Sequence, residues 1–591
     1  MRYIFITLLF LCFKGIAQTN NYNISFENAV HHEAKIKASF PKIKTGKLKL
    51  RMSRTSPGRY ALHEFAKNVY GLKATNSKGE ALPISRPDPY SWIVSGHDGT
   101  VNIEYILYAN RGDGTYSQID ETHAHLNIPA TFIYSEELKH RPIEVNFDVR
   151  EDLNWKIATQ LEKLSQNKYS APDLYYFMDS PVEISDHDVK EFELQGKKIQ
   201  FVLHHPGTDT EFEEYFDQVI RIVKQETAVF GELPDYDYGK YTFLACYMPN
   251  VSGDGMEHRN STILTDIESL ADGGMKGNIG TVAHEFFHGW NVERLRPEDL
   301  EPFSFSEVNM SEGLWFAEGF TSYYTGLILC RAQVNSEKEY IEGLAGTFNY
   351  VWNSPAREYF NPIQMSMQAP FIDAATSVDP VNRENTFISY YSYGSSLGLA
   401  LDLSLKQNDL NLDDFMKLMW TKYGKKEIAY DVKDIEETLI EYAGPEFGTK
   451  FFQEYIHSSK MPDYKNLMKS VGVKLEQETN ENYFGATLKN TENGLEITRN
   501  TFKNSPAYKA GLDHGDLITS VNGEPITSVE DFNKLIKNSK KNAVIEIGFE
   551  RFGKPKITEV KLGSDPHYKI SLMEKAEKQQ LKNRKQWLDA K

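Results

Sequence analysis

Apolar and polar residues alternate through the first part of the chain, as in Lys47-Leu48-Lys49-Leu50-Arg51-Met52 and Val101-Asn102-Ile103-Glu104-Tyr105. A period of two marks strands with one buried face, and turn signals such as Ser56-Pro57-Gly58 separate them. Residues 18–170 are therefore expected to form a β-rich domain. The period then changes: Phe212, Tyr215, Phe216, Val219, Ile222 and Val223 recur at helical spacing and predict an amphipathic helix ending near Phe230. Lys240 to Tyr247 reads as a strand that stops at Met248-Pro249-Asn250. Helical patterns dominate from Asn278 to about Tyr455, including the apolar stretch Leu397 to Leu405, so 171–470 is expected to be an α+β unit. After Tyr464 the texture is β-rich again. Gly515-Asp516-Leu517-Ile518 leads into a hairpin turn at Val521-Asn522-Gly523-Glu524. Ser528 with Asp531 starts a helix carrying Phe532, Leu535 and Ile536. Strands Val544 to Phe549 and Ile557 to Leu562 close a compact unit over 471–565. The tail, 566–591, is charged and expected to be helical, with Trp587 and Leu588 able to dock it.

A chain of 591 residues is too long for one core, which agrees with several domains. Apolar residues at 40% and aromatics at 13% are ample for folded units. The net charge of −17 argues against a nucleic-acid surface. Residues 1–17 read as a secretory signal: Arg2 is the positive start, Ile4 to Phe13 the apolar core, and Gly15-Ile16-Ala17 the cleavage site. That run is too short to span a bilayer, and no later segment offers a transmembrane length. Large Phe10 and Leu11 before Cys12 argue against a lipid-anchored cysteine. An exported, periplasmic or secreted protein is expected. Beyond the leader only Cys246 and Cys330 remain, too few for a disulfide framework, and their pairing is not readable.

The chemistry concentrates in His284-Glu285-Phe286-Phe287-His288. Residues four apart share a helix face, so both imidazoles can reach one ion while Glu285 stands beside a bound water. Zinc lowers the pKa of such a water towards about 7, and a nearby carboxylate can take its proton. Catalytic zinc usually has three protein ligands and an open position. Glu318, in the apolar run Leu314 to Tyr324, is the favoured third ligand, because a buried ionised carboxylate there needs a metal or a partner. Glu312, in Ser311-Glu312-Gly313, is the rival and reads better as a solvated cap. His123 and His125, two apart on a strand, share a face. With no carboxylate or cysteine pattern beside them in sequence, a structural or surface role is favoured.

His284 to Val292, with Arg294 and Arg296-Pro297 following, resembles the zinc helix of the M61 glycyl aminopeptidase family. Trp315-Phe316-Ala317-Glu318-Gly319-Phe320 resembles the third-ligand helix of that family and of the wider gluzincin group. Ser56-Pro57-Gly58-Arg59-Tyr60 and Glu121-Thr122-His123-Ala124-His125 resemble its N-terminal β domain, and 471–565 resembles a PDZ domain. Glu293 departs from the family pattern, where a basic residue is common. The resemblance implies a multidomain α+β chain with a N-terminal β-rich domain, a thermolysin-like mostly helical catalytic domain with a small sheet, and a C-terminal PDZ domain. One Zn²⁺ per chain would be held by His284, His288 and Glu318, with Glu285 as general base. Gly255-Met256-Glu257 is similar to the edge-strand motif of gluzincin aminopeptidases, which makes Glu257 the receptor for a substrate's α-amino group. Tyr390-Tyr391-Ser392-Tyr393-Gly394 resembles the segment whose tyrosine stabilises the oxyanion. Counting back from Gly394 selects Tyr391, with Tyr390 as competitor and Tyr393 replacing the usual lysine.

In the PDZ-like unit, Tyr483-Phe484-Gly485-Ala486 is the candidate carboxylate nest, so Phe484, Gly485 and Ala486 would line a groove for a C-terminal peptide. An exported zinc aminopeptidase acting on peptides with a free N-terminus is expected. The alternatives are a zinc endopeptidase whose PDZ domain recruits substrate chains, and an inactive PDZ-bearing adaptor.

Overall fold

A computed structural model describes residues 18–44, 46–372, 379–477 and 481–591. The expected leader, 1–17 with Cys12, lies outside the described residues. Alternation in sequence becomes alternation in burial: along Val101–Tyr108 every second side chain enters the core. Sheets of seven, four and three strands form the N-terminal domain around one apolar core. Its four-stranded sheet closes with Val182–Ser185, antiparallel to His123–Leu126. The domain therefore runs past the boundary expected at 170, because that last strand is needed to pair with His123–Leu126.

The second unit is built on a five-stranded sheet in the order Asp188–Leu194, Lys197–His204, Lys240–Tyr247, Ser261–Asp266, Asp254–His258. The last of these is an edge strand, antiparallel to its neighbour. The helix Asp209–Phe230 begins at a capping box between Thr208 and Glu211 and buries the apolar stripe read from the sequence. Helices Ile279–Phe287 and Leu314–Arg331 share its core. Leu314–Arg331 is buried on nearly every side, which explains its lack of polar periodicity. It crosses Tyr390–Lys406 at two glycines: a Cβ on Gly394 would lie 1.9 Å from the Trp315 carbonyl oxygen, and one on Gly319 would lie 2.3 Å from the Gly394 Cα. Only glycine at both positions permits this approach.

The C-terminal unit has its own core, in which Phe484 packs edge-on against Phe532. Ser528 caps the helix Val529–Asn538 as expected. The chain on either side of this unit returns to the second core: Val473–Gln477 pairs antiparallel with Tyr568–Leu572. The tail is thus not helical throughout. A strand comes first, because Ile570 points into the core, and the helix Lys578–Leu588 follows. Trp587 and Leu588 do dock it: the indole N–H donates to Tyr323 Oη at 2.9 Å, and Arg331 donates to the Trp587 carbonyl. Cys246 and Cys330 are both buried and unpaired. Among the described residues no helix is long and apolar enough to cross a membrane.

Candidate active site

The helix Ile279–Phe287 carries His284 and Glu285, and His288 caps it in helical geometry. Each imidazole is held through Nδ1. His288 Nδ1 is 2.6 Å from the Asn291 carbonyl oxygen, to which it donates. His284 Nδ1 is 3.2 Å from Thr325 Oγ1, whose own hydrogen goes to the Thr321 carbonyl. Both Nε2 lone pairs are therefore free and aimed at one point, 3.1 Å apart. Glu318 Oε2 completes the triangle at 3.6 Å from His284 Nε2 and 3.1 Å from His288 Nε2. Zinc bonds of about 2.0–2.1 Å in a tetrahedron set ligand atoms about 3.3 Å apart, so the three separations fit that edge. Two imidazole nitrogens and a buried carboxylate oxygen at these distances need a proton or a metal cation between them. The donor set suits zinc.

Glu318 is 2% exposed, whereas Glu312 is solvent-exposed with its N–H capping toward Asp299. The Glu318 carboxylate is divided in its duties. Oε1 accepts a 2.6 Å bond from the Tyr60 hydroxyl, 258 residues away in sequence, while Oε2 faces the histidines. In spite of burial, His288 and His284 hold the carboxyl below its ordinary range. Asn291 ties the turn after His288 to the next helix, donating to the Phe316 and Ala317 carbonyls and to Thr321. Thr325 had no signal in the sequence, and Asn291 lay within the zinc-helix motif without a role of its own. Tyr60 lay within a motif read only as part of the N-terminal domain.

Glu285 and Glu257 form the other wall. They and His288 present ligand atoms within 4.8 Å of one another. Burial raises Glu285 well above the usual carboxylate range, and Glu257, Glu318 and Asp254 add to it against the pull of His288. Glu257 is raised for the same first reason. Among the described residues no lysine or arginine pairs with Glu257. Gly255 leaves room for the Glu285 carboxylate, since a Cβ there would lie 2.2 Å from Glu285 Oε1. On the far side of the strand's end, Gly58 takes φ +75°, and a Cβ there would collide with Met256 Sδ at 2.1 Å. The N-terminal domain thus presses a turn directly on the Gly255-Met256-Glu257 segment.

Tyr391 is half-buried with its ring centroid 5.9 Å from that of His284. Its competitor Tyr390 is buried, edge-on to Tyr60 at 6.0 Å. Burial and then Glu318 keep the Tyr391 phenol well above its normal pKa, so it remains a donor. Glu293 sits behind the site, its carboxyl raised to about 7 by burial and Asp179. In the C-terminal unit Gly485 adopts φ +86° between Phe484 and Ala486, with its carbonyl accepting from Ser505.

Models of known families match three stretches of the chain. The model of the M61 peptidase N-terminal domain matches residues 21–186, that of M61 glycyl aminopeptidase 277–397, and that of a PDZ domain 503–551. A solved aminopeptidase N family protein from Idiomarina loihiensis superposes with a TM-score of 0.84 at 23% identity, covering 96% of this chain and 100% of that one. An M1 zinc metallopeptidase from Deinococcus radiodurans gives 0.45 at 11% identity over 76% of this chain and 95% of its own. A probable periplasmic DegP-like serine endoprotease from Bartonella henselae is 44% identical over 61 residues, 10% of this chain and 12% of that protein's length.

Proposed function

The chain is a zinc metallopeptidase assembled from M61 peptidase domains with a PDZ domain behind them, and from that premise we propose that it removes residues from the free N-termini of peptides. The observation that carries the proposal is Glu257: a buried carboxylate on the edge strand, beside Glu285, with no lysine or arginine partner among the described residues. A substrate α-ammonium supplies the missing cation. An internal peptide bond does not.

His284, His288 and Glu318 would hold the zinc, which when bound supplies a Lewis acid that acidifies a water and polarises the scissile carbonyl. Glu285 takes the proton of the attacking water. Its raised pKa suits a group that must accept that proton and later hand it to the leaving amine. Tyr391 donates its phenolic hydrogen to the developing oxyanion. Tyr60 keeps Glu318 turned so that one oxygen faces the histidines. The sequence of residues 1–17 supports export, and residues 484–486 support a carboxylate nest in the PDZ unit.

Two variants separate the roles. Glu257→Gln is expected to raise KM for free peptides with a smaller change in kcat, and Tyr391→Phe to lower kcat at little cost to KM. Unchanged kinetics in either variant removes that residue from the mechanism.

A further inference from the structure

A second constellation lies where the N-terminal domain meets the catalytic sheet. Glu183 stands directly opposite His125 in the antiparallel pair Val182–Ser185/His123–Leu126, and His123, two residues along, shares its face. From the neighbouring sheet His204 and Cys246, direct partners in the parallel pair Lys197–His204/Lys240–Tyr247, face the same point. All four residues are buried, none more than 4% exposed. Their donor atoms lie within 4.8 Å of one another. His123 Nδ1 is 3.3 Å from Glu183 Oε1 and 3.5 Å from Cys246 Sγ. His204 Nδ1 is 3.3 Å from Cys246 Sγ and 3.7 Å from Glu183 Oε1.

We propose that His123, Glu183, His204 and Cys246 form a second, structural metal site that takes a zinc-class divalent ion and clamps the N-terminal domain to the catalytic sheet.

Four ligands of two imidazoles, one carboxylate and one thiolate form a closed tetrahedral set of the structural kind. Zinc–sulfur bonds of about 2.3 Å lengthen the tetrahedral edge to about 3.5 Å beside sulfur, against about 3.3 Å between nitrogen and oxygen. The four measured separations, 3.3–3.7 Å, scatter around those edges. Glu183 is also oriented by a surrounding contact of the kind metal sites use. Glu183 Oε2 accepts from His125 Nδ1 at 3.0 Å, leaving Oε1 for the ion, and His125 is fixed in turn by the Asp113 carbonyl at 3.0 Å from Nε2. His204 Nε2 lies 3.6 Å from Asp186 Oδ1. His123 Nε2 is buried without a partner, so Nδ1 is the one nitrogen of that ring in contact with the cluster. Binding converts the Cys246 thiol to a thiolate and releases one proton to solvent. Burial makes that thiol a weak acid otherwise, so the ion supplies the driving force. Glu183 and Cys246 are 60 and 123 residues from His123, which is why no sequence pattern announced the cluster.

The test uses the full chain with the catalytic ligands removed, His284→Ala/His288→Ala, dialysed after loading with Zn²⁺. Retention of one zinc per chain, with sulfur in the zinc shell by X-ray absorption, is expected. Loading with Co²⁺ should give a thiolate-to-metal charge-transfer band, and stripping the metal should lower the melting temperature. Cys246→Ser in the same background should abolish the band and the bound equivalent. If that variant does not fold, the absorption spectrum of the Cys246-containing protein still decides. A protein that retains no metal once His284 and His288 are gone, or retains it without sulfur coordination, overturns the proposal.

Discussion

Replacing Tyr60 with phenylalanine isolates one hydroxyl that joins the N-terminal domain to the metal site. The ring contact with Tyr390 is kept, while the 2.6 Å bond to Glu318 Oε1 is lost. Both residues are 2% exposed, so water does not readily take the hydroxyl's place. A hydrogen bond to a charged group contributes about 1.5–3 kcal/mol, and loss of a partner that orients a metal ligand lowers metal affinity about 10–100-fold. At 1.4 kcal/mol per decade these two scales agree, since the affinity loss corresponds to about 1.4–2.8 kcal/mol. Competition titration against a chromophoric zinc chelator measures the change directly. The expected result is zinc affinity reduced by one to two decades, with most turnover recovered at saturating zinc. Affinity within twofold of the parent would show that Tyr60 does not orient Glu318, and would remove the N-terminal domain from the metal chemistry.

Gly394→Ala forces apart the two helices that bring Tyr391 and Glu318 together, because its methyl would meet the Trp315 carbonyl. Overpacking of this kind costs about 1–3 kcal/mol, and a shift near 1 Å at the site lowers kcat about 100-fold. Urea unfolding and steady-state kinetics read both, and a variant with parental stability and turnover contradicts the tight crossing. Glu293→Gln tests a pH dependence. The folded carboxyl is raised to about 7 from 4.5, so its stabilising protonated form is complete below the unfolded pKa and is lost as pH rises through 7. The full shift corresponds to about 3 kcal/mol, and partial exposure reduces this to about 1–2 kcal/mol. The variant should match the parent's pH trend below pH 4.5 and gain that much relative stability by pH 8. A difference that stays constant with pH refutes it.

The sequence made the elements and the metal-binding helix legible because their signals are local. Period two, period 3.6 and the four-residue histidine spacing each survive without tertiary knowledge. Glu318 was readable for a different reason: a charge in an apolar helix demands compensation. What escaped was assembled across distance. Tyr60 reaches Glu318 from another domain, and Gly319 meets Gly394 only where two helices cross. The boundary at 170 fell short because Val182–Ser185 belongs by pairing to strands before it, and pairing has no sequence period. The strand Tyr568–Leu572 was hidden in a charged tail for the same cause, its partner lying at Val473–Gln477.

The central claim is that an α-ammonium recognised at Glu257 directs a zinc hydrolase to N-termini. A matched pair of peptides, one free and one N-acetylated, assayed with and without a zinc chelator, tests it most directly. The account predicts cleavage of the free peptide alone, one residue at a time from its N-terminus, abolished by the chelator and restored by zinc. Equal cleavage of the acetylated peptide would make the protein an endopeptidase and contradict the role given to Glu257. Cleavage that persists after complete metal removal would contradict the whole mechanism.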